Sequence, residues 1–205
     1  MIKRYKKNEI DELADILKRD GVISVPTDTV YGICAQMNSV KAYNKLREIK
    51  KRSSTKPFPI MCENKNQIQD IAIVDEKSEK LIHAFMPGPI TLVLKRKSEI
   101  PTYITNGKTT IAVRMATSEV LKELIRKTAS PLFMTSANQA GEAICTNLDE
   151  IEKACPTLDG ILEGSIFFNQ GSTIIDCTLD EVKILREGPI SIEQIKEAIK
   201  KNLKP

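Results

Sequence analysis

The sequence has few of the residues on which reactive centres are most often built. It contains one histidine, His83, no tryptophan and 4% aromatic residues, and no two of its five cysteines form a Cys-x-x-Cys pair. One histidine excludes a multi-histidine metal site and argues against a Ser-His-Asp triad. Five scattered cysteines favour buried reduced thiols over a disulfide framework or a thiolate zinc site. We therefore assign no metal-binding residue and expect chemistry without a cysteine or histidine nucleophile.

Long hydrophobic runs are also missing. No stretch approaches the roughly 18–20 apolar residues of a membrane-spanning helix, and the basic start of the chain becomes acidic and amphipathic too early for a signal peptide. The net charge of +4 is far below that of a dedicated nucleic-acid-binding protein. It suits an anionic small substrate or a weak RNA contact. We expect a cytoplasmic protein without a membrane segment, with residues 1–205 as a single domain.

Apolar periodicity and turn residues predict an α/β fold in which strands and helices alternate irregularly on a mixed sheet. Helices are predicted over 76–85 and after caps at Asn8, Ser39, Ser118, Asn147 and Ser191, with Gly21 ending the first and Gln194 completing a capping box in the last. Strands are predicted at 22–25, 58–62, 90–96, 110–115, 132–137, 173–178 and 182–187. A turn is predicted at Asn106 and Gly107, and Pro59 suggests an edge strand or a bulge.

The segment SVPTDTVYGI, residues 24–33, places short polar side chains directly after a buried strand. Hydroxyls of Thr27 and Thr29 can donate to a carboxylate or a phosphate, and Gly32 permits close approach of the backbone to a ligand. A Pro-Thr-Asp turn that only caps the next element explains the same residues. The pattern leaves both interpretations open.

A basic cluster, formed by Lys50, Lys51, Arg52 and Lys56, follows the second predicted helix. Cations at a helix C-terminus are favoured by the macrodipole, so a solvated helix end is one interpretation. The adjacent hydroxyls of Ser53, Ser54 and Thr55 support a second one, a cradle for polyphosphate in which Arg52 binds bidentately. The segment is not a P-loop.

Five further residues carry polar groups at strand ends or inside strands. Ser136 and Asn138 lie two residues apart on extended backbone and can address one ligand, although an Asx turn is equally consistent. Arg114 lies within an apolar strand and needs an anionic partner or a ligand. Ser172 precedes a strand and Arg186 precedes a turn, and each alone is a weak signal.

Taken in order, these segments resemble the YrdC-type threonylcarbamoyl-AMP synthases. The similar segments are PTDTVYG (26–32), KKR (50–52), PGPIT (87–91), AVRM (112–115), SAN (136–138), STIID (172–176) and LREGPI (185–190). They extend over about residues 20–195 in the order of the family. The resemblance implies one α/β domain with a twisted mixed sheet and flanking helices around a positively charged concave cavity.

The resemblance also implies an activity and its residues. The reaction joins L-threonine, bicarbonate and ATP into threonylcarbamoyl-AMP and pyrophosphate, and a tRNA threonylcarbamoyl-transfer complex then uses the adenylate. The resemblance assigns threonine contacts to Thr29, Arg114 and Ser172, and nucleotide or phosphate contacts to Lys50, Arg52, Lys56, Thr110, Ser136, Asn138 and Arg186, with Lys50 and Arg52 as the catalytic pair. Mg²⁺ would arrive on the phosphates and need few protein ligands.

This sequence departs from the family at three positions. Ser53 replaces a proline common after the arginine of the basic motif, Met61 lies near a position where some members have a threonine-binding histidine, and Met86 replaces a frequent tryptophan. Longer relatives carry an additional C-terminal domain. The alternative functions are a paralogue that binds double-stranded RNA or ribosomes, one that keeps the cavity without making the adenylate, and a carbamoyl-adenylating domain with another acceptor.

Overall fold

The computed structural model describes residues 1–53 and 55–201, which share one sheet of eleven strands. The strands are β1 (Arg4–Tyr5), β2 (Ile23–Pro26), β3 (Tyr31–Gln36), β4 (Ile60–Cys62), β5 (Ala72–Ile73), β6 (Ile90–Arg96), β7 (Thr110–Met115), β8 (Leu132–Ser136), β9 (Gly160–Leu162), β10 (Thr173–Asp176) and β11 (Lys183–Arg186). The helices are α1 (Ile10–Lys18), α2 (Val40–Lys50), α3 (Lys65–Ile71), α4 (Glu76–Phe85), α5 (Glu119–Thr128), α6 (Leu148–Ala154) and α7 (Ile192–Lys200). Short 3-10 turns cover Lys7–Glu9 and Thr102–Thr105.

The strand order is β1-β9-β2-β3-β8-β4-β7-β6-β10-β11, with β5 paired to β6. Parallel pairs such as β4 with β7 alternate with antiparallel pairs such as β6 with β7, so the sheet is mixed as predicted. Pro59 does not mark an edge strand, because β4 lies between β8 and β7 near the middle of the sheet. Pairing starts at Ile60, one residue after the proline, so no ladder hydrogen bond is lost to the missing N–H.

The helices cover both faces of the sheet, but unequally. α2, α3, α4, α6 and α7 contribute to one apolar layer, which contains the aromatic cluster of Tyr43, Phe58 and Phe133. On the other face, α1 and α5 pack against each other over Val25, Cys34 and Leu132. The rest of that second face, towards β6 and β10, borders a cavity. None of the described helices is long and apolar enough to cross a bilayer.

Most predicted caps are confirmed. The side chains of Ser39, Ser118 and Asn147 each accept a backbone hydrogen bond at the start of a helix, and Ser191 forms the capping box with Gln194. The predicted first helix is present as α1, but its predicted cap at Asn8 was wrong, because Lys7–Glu9 forms a 3-10 turn and Glu9 is the residue preceding α1.

The segment after β2 contains a strand that the sequence patterns did not predict. Tyr31 and Gly32 begin β3, which returns antiparallel along β2. Residues 27–30 are therefore the loop of a β-hairpin. The structure also contains β1, β5, β9 and α3, which the sequence patterns did not predict. The predicted turn at Asn106 and Gly107 is confirmed, with φ of 52° and 76°. All five cysteines are buried and unpaired, as expected for reduced thiols.

Candidate functional site

A row of side chains across five strands forms the floor of a cavity of about 460 Å³. Ile174 of β10 lies opposite Thr91 of β6, and Arg114 of β7 lies opposite Met61 of β4. Since directly paired residues point to the same face of a sheet, these side chains project together. Met134 of β8 extends the row. The floor therefore has a polar part, formed by Thr91 and Arg114, between Ile174 on one side and the two methionines on the other.

Arg114 is 7% exposed and forms an ion pair with Asp28 of the hairpin loop. Its Nη1 donates to Thr29 Oγ1 at 2.8 Å, and its Nε donates to the Gly88 carbonyl oxygen at 3.2 Å. Burial lowers the pKa of Arg114, and the charge of Asp28 opposes that effect. The predicted need for an anionic partner is confirmed: that partner is Asp28, and an arginine so paired remains cationic.

The hydroxyl groups of the hairpin loop form a chain. Thr27 Oγ1 donates to the Val30 carbonyl oxygen at 2.6 Å and lies 3.0 Å from Thr29 Oγ1. Thr27 Oγ1 also accepts from the backbone amides of Thr29 and Val30, both at 3.2 Å, so its two lone pairs are used. The Thr29 hydroxyl accepts from Arg114 and can still exchange a hydrogen bond with a ligand.

Gly32 lines the cavity, and close approach of its backbone to a ligand stays a prediction. A Cβ atom at Gly32 would lie 2.4 Å from Met134 Sδ, so the glycine also makes room for that side chain. Gly88 has a comparable role in the PGPIT turn. A Cβ atom there would lie 2.3 Å from the Phe85 carbonyl oxygen, and the close turn presents the Gly88 carbonyl to Arg114.

Ser172 lies beside Thr91 at the edge of the floor, and its hydroxyl group contacts two side chains. Its hydroxyl is 2.8 Å from Thr91 Oγ1 and accepts from Arg186 Nη2 at 3.0 Å. Arg186 Nε also donates to the Ser172 carbonyl oxygen at 2.9 Å. Burial lowers the pKa of Arg186. Thr91 is 2% exposed and was not selected from the sequence, although its position in the PGPIT segment was the available signal.

Lys50 is 3% exposed and joins the end of α2 to the end of β8. Its Nζ donates to the Ser136 carbonyl oxygen at 2.6 Å, to Ser136 Oγ at 3.2 Å and to Asn138 Oδ1 at 2.6 Å. These contacts match the three donors of an ammonium group. Burial, followed by the charge of Arg52, lowers the pKa of Lys50 to about 8. Ser136 and Asn138 do address one group, and in this structure that group is Lys50.

Arg52 extends from the basic cluster along the cavity wall. Its guanidinium lies 5.1 Å from the centre of the Phe58 ring and donates to the carbonyl oxygens of Lys56 and Pro57, both at 3.0 Å. Burial lowers the pKa of Arg52, and the nearby Arg186 lowers it further. Ser53 Oγ lies 3.0 Å from Thr55 Oγ1, and Ser54 lies outside the described residues.

The structure brings nine of the ten predicted site residues to this cavity. These are Thr29, Lys50, Arg52, Lys56, Arg114, Ser136, Asn138, Ser172 and Arg186. Thr110 is the exception. It begins β7 opposite Lys95, and four residues of extended strand place it about 13 Å from Arg114. Lys51 is exposed at the left-handed C-cap of α2 and does not line the cavity.

The charge of the lining is one-sided. Five cationic side chains, Lys50, Arg52, Lys56, Arg114 and Arg186, line the cavity, and among the described residues no carboxylate lines it. Within residues 1–53 and 55–201, no group of three or more histidine, cysteine, aspartate or glutamate side chains could hold a metal ion. An α/β domain with such a cavity belongs to the class that binds an anionic small molecule.

Comparisons with known proteins identify the family. The Sua5/YciO/YrdC family model, described as "Telomere recombination", matches residues 15–188. A Methanocaldococcus jannaschii protein, provisionally named a threonylcarbamoyl-AMP synthase, is 34% identical over 203 residues, covering 95% of this chain and 96% of the relative. The threonylcarbamoyl-AMP synthase of Bacillus subtilis is 31% identical over 198 residues, covering 93% of this chain and 56% of the relative.

A solved structure supports the same assignment. Pyrococcus abyssi Sua5 complexed with L-threonine superposes with a TM-score of 0.90 at 29% identity, over 98% of this chain and 61% of that chain. The chain belongs to the Sua5/YciO/YrdC family. It spans nearly the whole of the Methanocaldococcus relative but less than two thirds of the Bacillus and Pyrococcus proteins.

Proposed function

We propose that this chain is a threonylcarbamoyl-AMP synthase, which forms threonylcarbamoyl-AMP and pyrophosphate from L-threonine, bicarbonate and ATP. The observation that carries the proposal is the cavity itself, where five cations and several hydroxyl and amide groups converge without a carboxylate in the described lining. The names of the relatives, and the threonine bound by the Pyrococcus protein, support this reaction over other uses of an anion site.

The positions of the polar side chains in the cavity suggest where each substrate binds. Arg114, Ser172 and Thr29 would bind the threonine moiety, with Arg114 on the carboxylate and Thr29 accepting from an amine or hydroxyl group. Lys50, Arg52, Lys56, Ser136, Asn138 and Arg186 would hold the nucleotide and its phosphates. Thr110 does not line the cavity, and its assigned nucleotide contact stays a prediction.

The reaction needs little covalent chemistry from the protein. The threonine amine attacks the carbon of bicarbonate with loss of water, or the carbon of carbon dioxide with loss of the amine proton. An oxygen of the resulting carbamate then attacks the α-phosphorus of ATP with loss of pyrophosphate. Both nucleophiles come from the substrates, so the cavity has to align them and to offset the charge of the departing pyrophosphate. Arg52, Lys56 and Arg186 are suited to the second task.

Mg²⁺ fits the cavity as a partner of the phosphates. The described lining offers hydroxyl, amide and carbonyl oxygens but no carboxylate, so the residues could contact the ion's water shell while ATP supplies its charged ligands. When bound, Mg²⁺ would neutralise charge on the phosphate oxygens. Transfer of the adenylate to a tRNA threonylcarbamoyl-transfer complex, in the cytoplasm, belongs to the same proposal.

The proposal is tested by measuring pyrophosphate release with ATP, Mg²⁺ and bicarbonate, with and without L-threonine. We expect release only when threonine and bicarbonate are both present. Arg52→Ala should lower the rate roughly 100-fold because a cation facing the phosphates is lost. Arg126→Ala is the matched control, because its side chain is 52% exposed and pairs with Glu63. Double-stranded-RNA binding without pyrophosphate release would instead favour the binding paralogue.

A further inference from the structure

Asp28 lies behind the cavity, and nothing in the proposed reaction uses it. It does not line the cavity but borders a second hollow on the other side of the hairpin loop. One carboxylate oxygen, Oδ1, pairs with Arg114 and accepts from Thr117 Oγ1 at 3.1 Å. The other oxygen, Oδ2, is buried and has no hydrogen-bond partner among the described residues. A substrate in the cavity therefore meets Arg114 and not Asp28.

Stability alone does not explain a carboxylate at position 28, because only one of its two oxygens is hydrogen-bonded. A buried carboxylate oxygen without a hydrogen bond loses its hydration and gains nothing in return. A neutral amide at this position could still offer one oxygen to Arg114 and Thr117. What an amide cannot supply is the negative charge, and Arg114 lies close enough to Arg186 for the second cation to lower its pKa. The negative charge of the Asp28 carboxylate offsets the repulsion between Arg114 and Arg186.

The contacts of Arg114 show what this arrangement leaves free. A guanidinium has five N–H groups. In Arg114 one donates to the Gly88 carbonyl oxygen, one to Thr29 Oγ1 and one to Asp28 Oδ1. Two N–H groups remain on a side chain that lines the cavity. The three contacts fix the plane of the guanidinium and so fix the direction of these two donors.

We propose that Asp28 is a positioning residue, whose carboxylate holds Arg114 so that its two free N–H groups face the carboxylate of the amino-acid substrate. This inference rests on the proposed function, since it requires an amino acid at Arg114. Asp28 acts only through Arg114 and does not contact the substrate. Its removal should therefore weaken amino-acid binding while leaving ATP binding unchanged.

A double-mutant cycle tests the inference, with L-threonine and ATP binding measured separately by titration calorimetry. We expect Asp28→Asn to raise the Kd for threonine about 10- to 100-fold, the range typical of a charged hydrogen bond. Arg114→Met should weaken threonine binding at least as much. Adding Asp28→Asn to Arg114→Met should then cause no further loss, because the residue through which Asp28 acts is gone. Additive losses would overturn the proposal.

Asp159→Asn is the matched control. Asp159 also forms an ion pair, with Lys45 at 2.6 Å, but does not line the cavity. The Asp159→Asn variant should have a lower free energy of unfolding but unchanged Kd values for threonine and ATP. A rise in its threonine Kd equal to that of Asp28→Asn would show that the Asp28 effect is merely structural. If Asp28→Asn fails to fold, Thr117→Val removes one contact of the same carboxylate. That variant should raise the threonine Kd by a few fold, and an unchanged value would overturn the proposal.

The outcomes separate the two proposals. Wild-type protein that binds ATP but neither binds nor uses threonine would overturn the proposed function, and the role of Asp28 with it. Wild-type protein that binds threonine, with an Asp28→Asn variant that binds it equally well, would overturn only the role of Asp28.

Discussion

At the residue scale, Lys50 shows how one side chain can organise a site without facing the ligand as a free cation. All three donors of its ammonium group are taken up by Ser136 and Asn138. Its backbone carbonyl oxygen also accepts from the Ala140 amide at 3.0 Å, so the end of α2 and the loop after β8 are joined twice. Lys50 therefore shapes the wall of the cavity near Ser136 and Asn138 as well as contributing charge to it.

Lys50 also gives the site a pH dependence. Its pKa in the folded chain is lowered to about 8, so the ammonium group loses its proton as the pH rises through that value. Bound phosphates favour the charged form, and ATP binding above pH 8 should therefore require uptake of a proton. We expect the Kd for ATP to be flat between about pH 7 and 7.5 and to rise by up to about tenfold per pH unit above 8.

Calorimetric titration across this pH range checks the prediction, with Lys50→Met as the comparison. The variant should bind ATP more weakly at neutral pH and lack the rise above pH 8. A variant with the wild-type pH profile would show that another group titrates.

The residue scale also separates what the sequence could predict about the site from what it could not. Arg114 was predictable because a charge inside an apolar strand needs a partner, but the identity of the partner depends on the hairpin that brings Asp28 beside it. Thr91 is linked to the site by its hydrogen bond to Ser172, which lies 81 positions further along the chain. No local sequence pattern predicts that contact. Thr110 does not line the cavity, because it lies four residues before Arg114 on the same extended strand.

At the element scale, most caps and the long amphipathic segments were predictable, whereas β1, β3, β5 and β9 were not. Ser39 and Ser118 cap their helices through local hydrogen bonds, which depend on a few neighbouring residues. β3, in contrast, is buried along its whole length and shows no alternation of polar and apolar residues. β9 has three residues, and its place between β1 and β2 is set by pairing with distant segments.

The cap of α5 provides a test at this scale. Ser118 Oγ accepts from the Leu121 amide at 3.3 Å, and Ser118→Ala leaves that amide without its partner. We expect the free energy of unfolding, measured with urea, to fall by about 1 kcal/mol. Ser118→Asp keeps an acceptor and adds a favourable charge at the helix N-terminus, so it should lose much less. Equal losses in both variants would contradict the capping role.

At the scale of the whole molecule, the site exists because the helices leave part of one sheet face uncovered. α1 and α5 cover the region near β2, β3 and β8, while the row from Ile174 to Met134 borders the cavity. Positive charge is concentrated at this opening, because five cationic side chains line the cavity. Arg186 is close enough to Arg52 and to Arg114 to lower the pKa of both, and among these three only Arg114 has a carboxylate partner within the described residues.

An anionic ligand should therefore stabilise the fold as a whole. Free ATP at about 100 times its Kd should add about 2.7 kcal/mol to the free energy of unfolding and raise Tm by roughly 5–10 °C. Adenosine at the same concentration should have a much smaller effect, because it lacks the phosphates. Thermal unfolding followed by circular dichroism measures both shifts. Equal Tm shifts from adenosine and ATP would show that the phosphates, and with them the cationic side chains of the cavity, contribute little to binding.

The most direct test of the central claim is the identity of the product. The protein would be incubated with ATP, Mg²⁺, L-threonine and ¹³C-labelled bicarbonate, and the nucleotides analysed by mass spectrometry. The account predicts an adenylate that contains threonine and one labelled carbon, with pyrophosphate in equal amount. A nucleotide pool of ADP or AMP alone, or an adenylate of threonine without the labelled carbon, would contradict it.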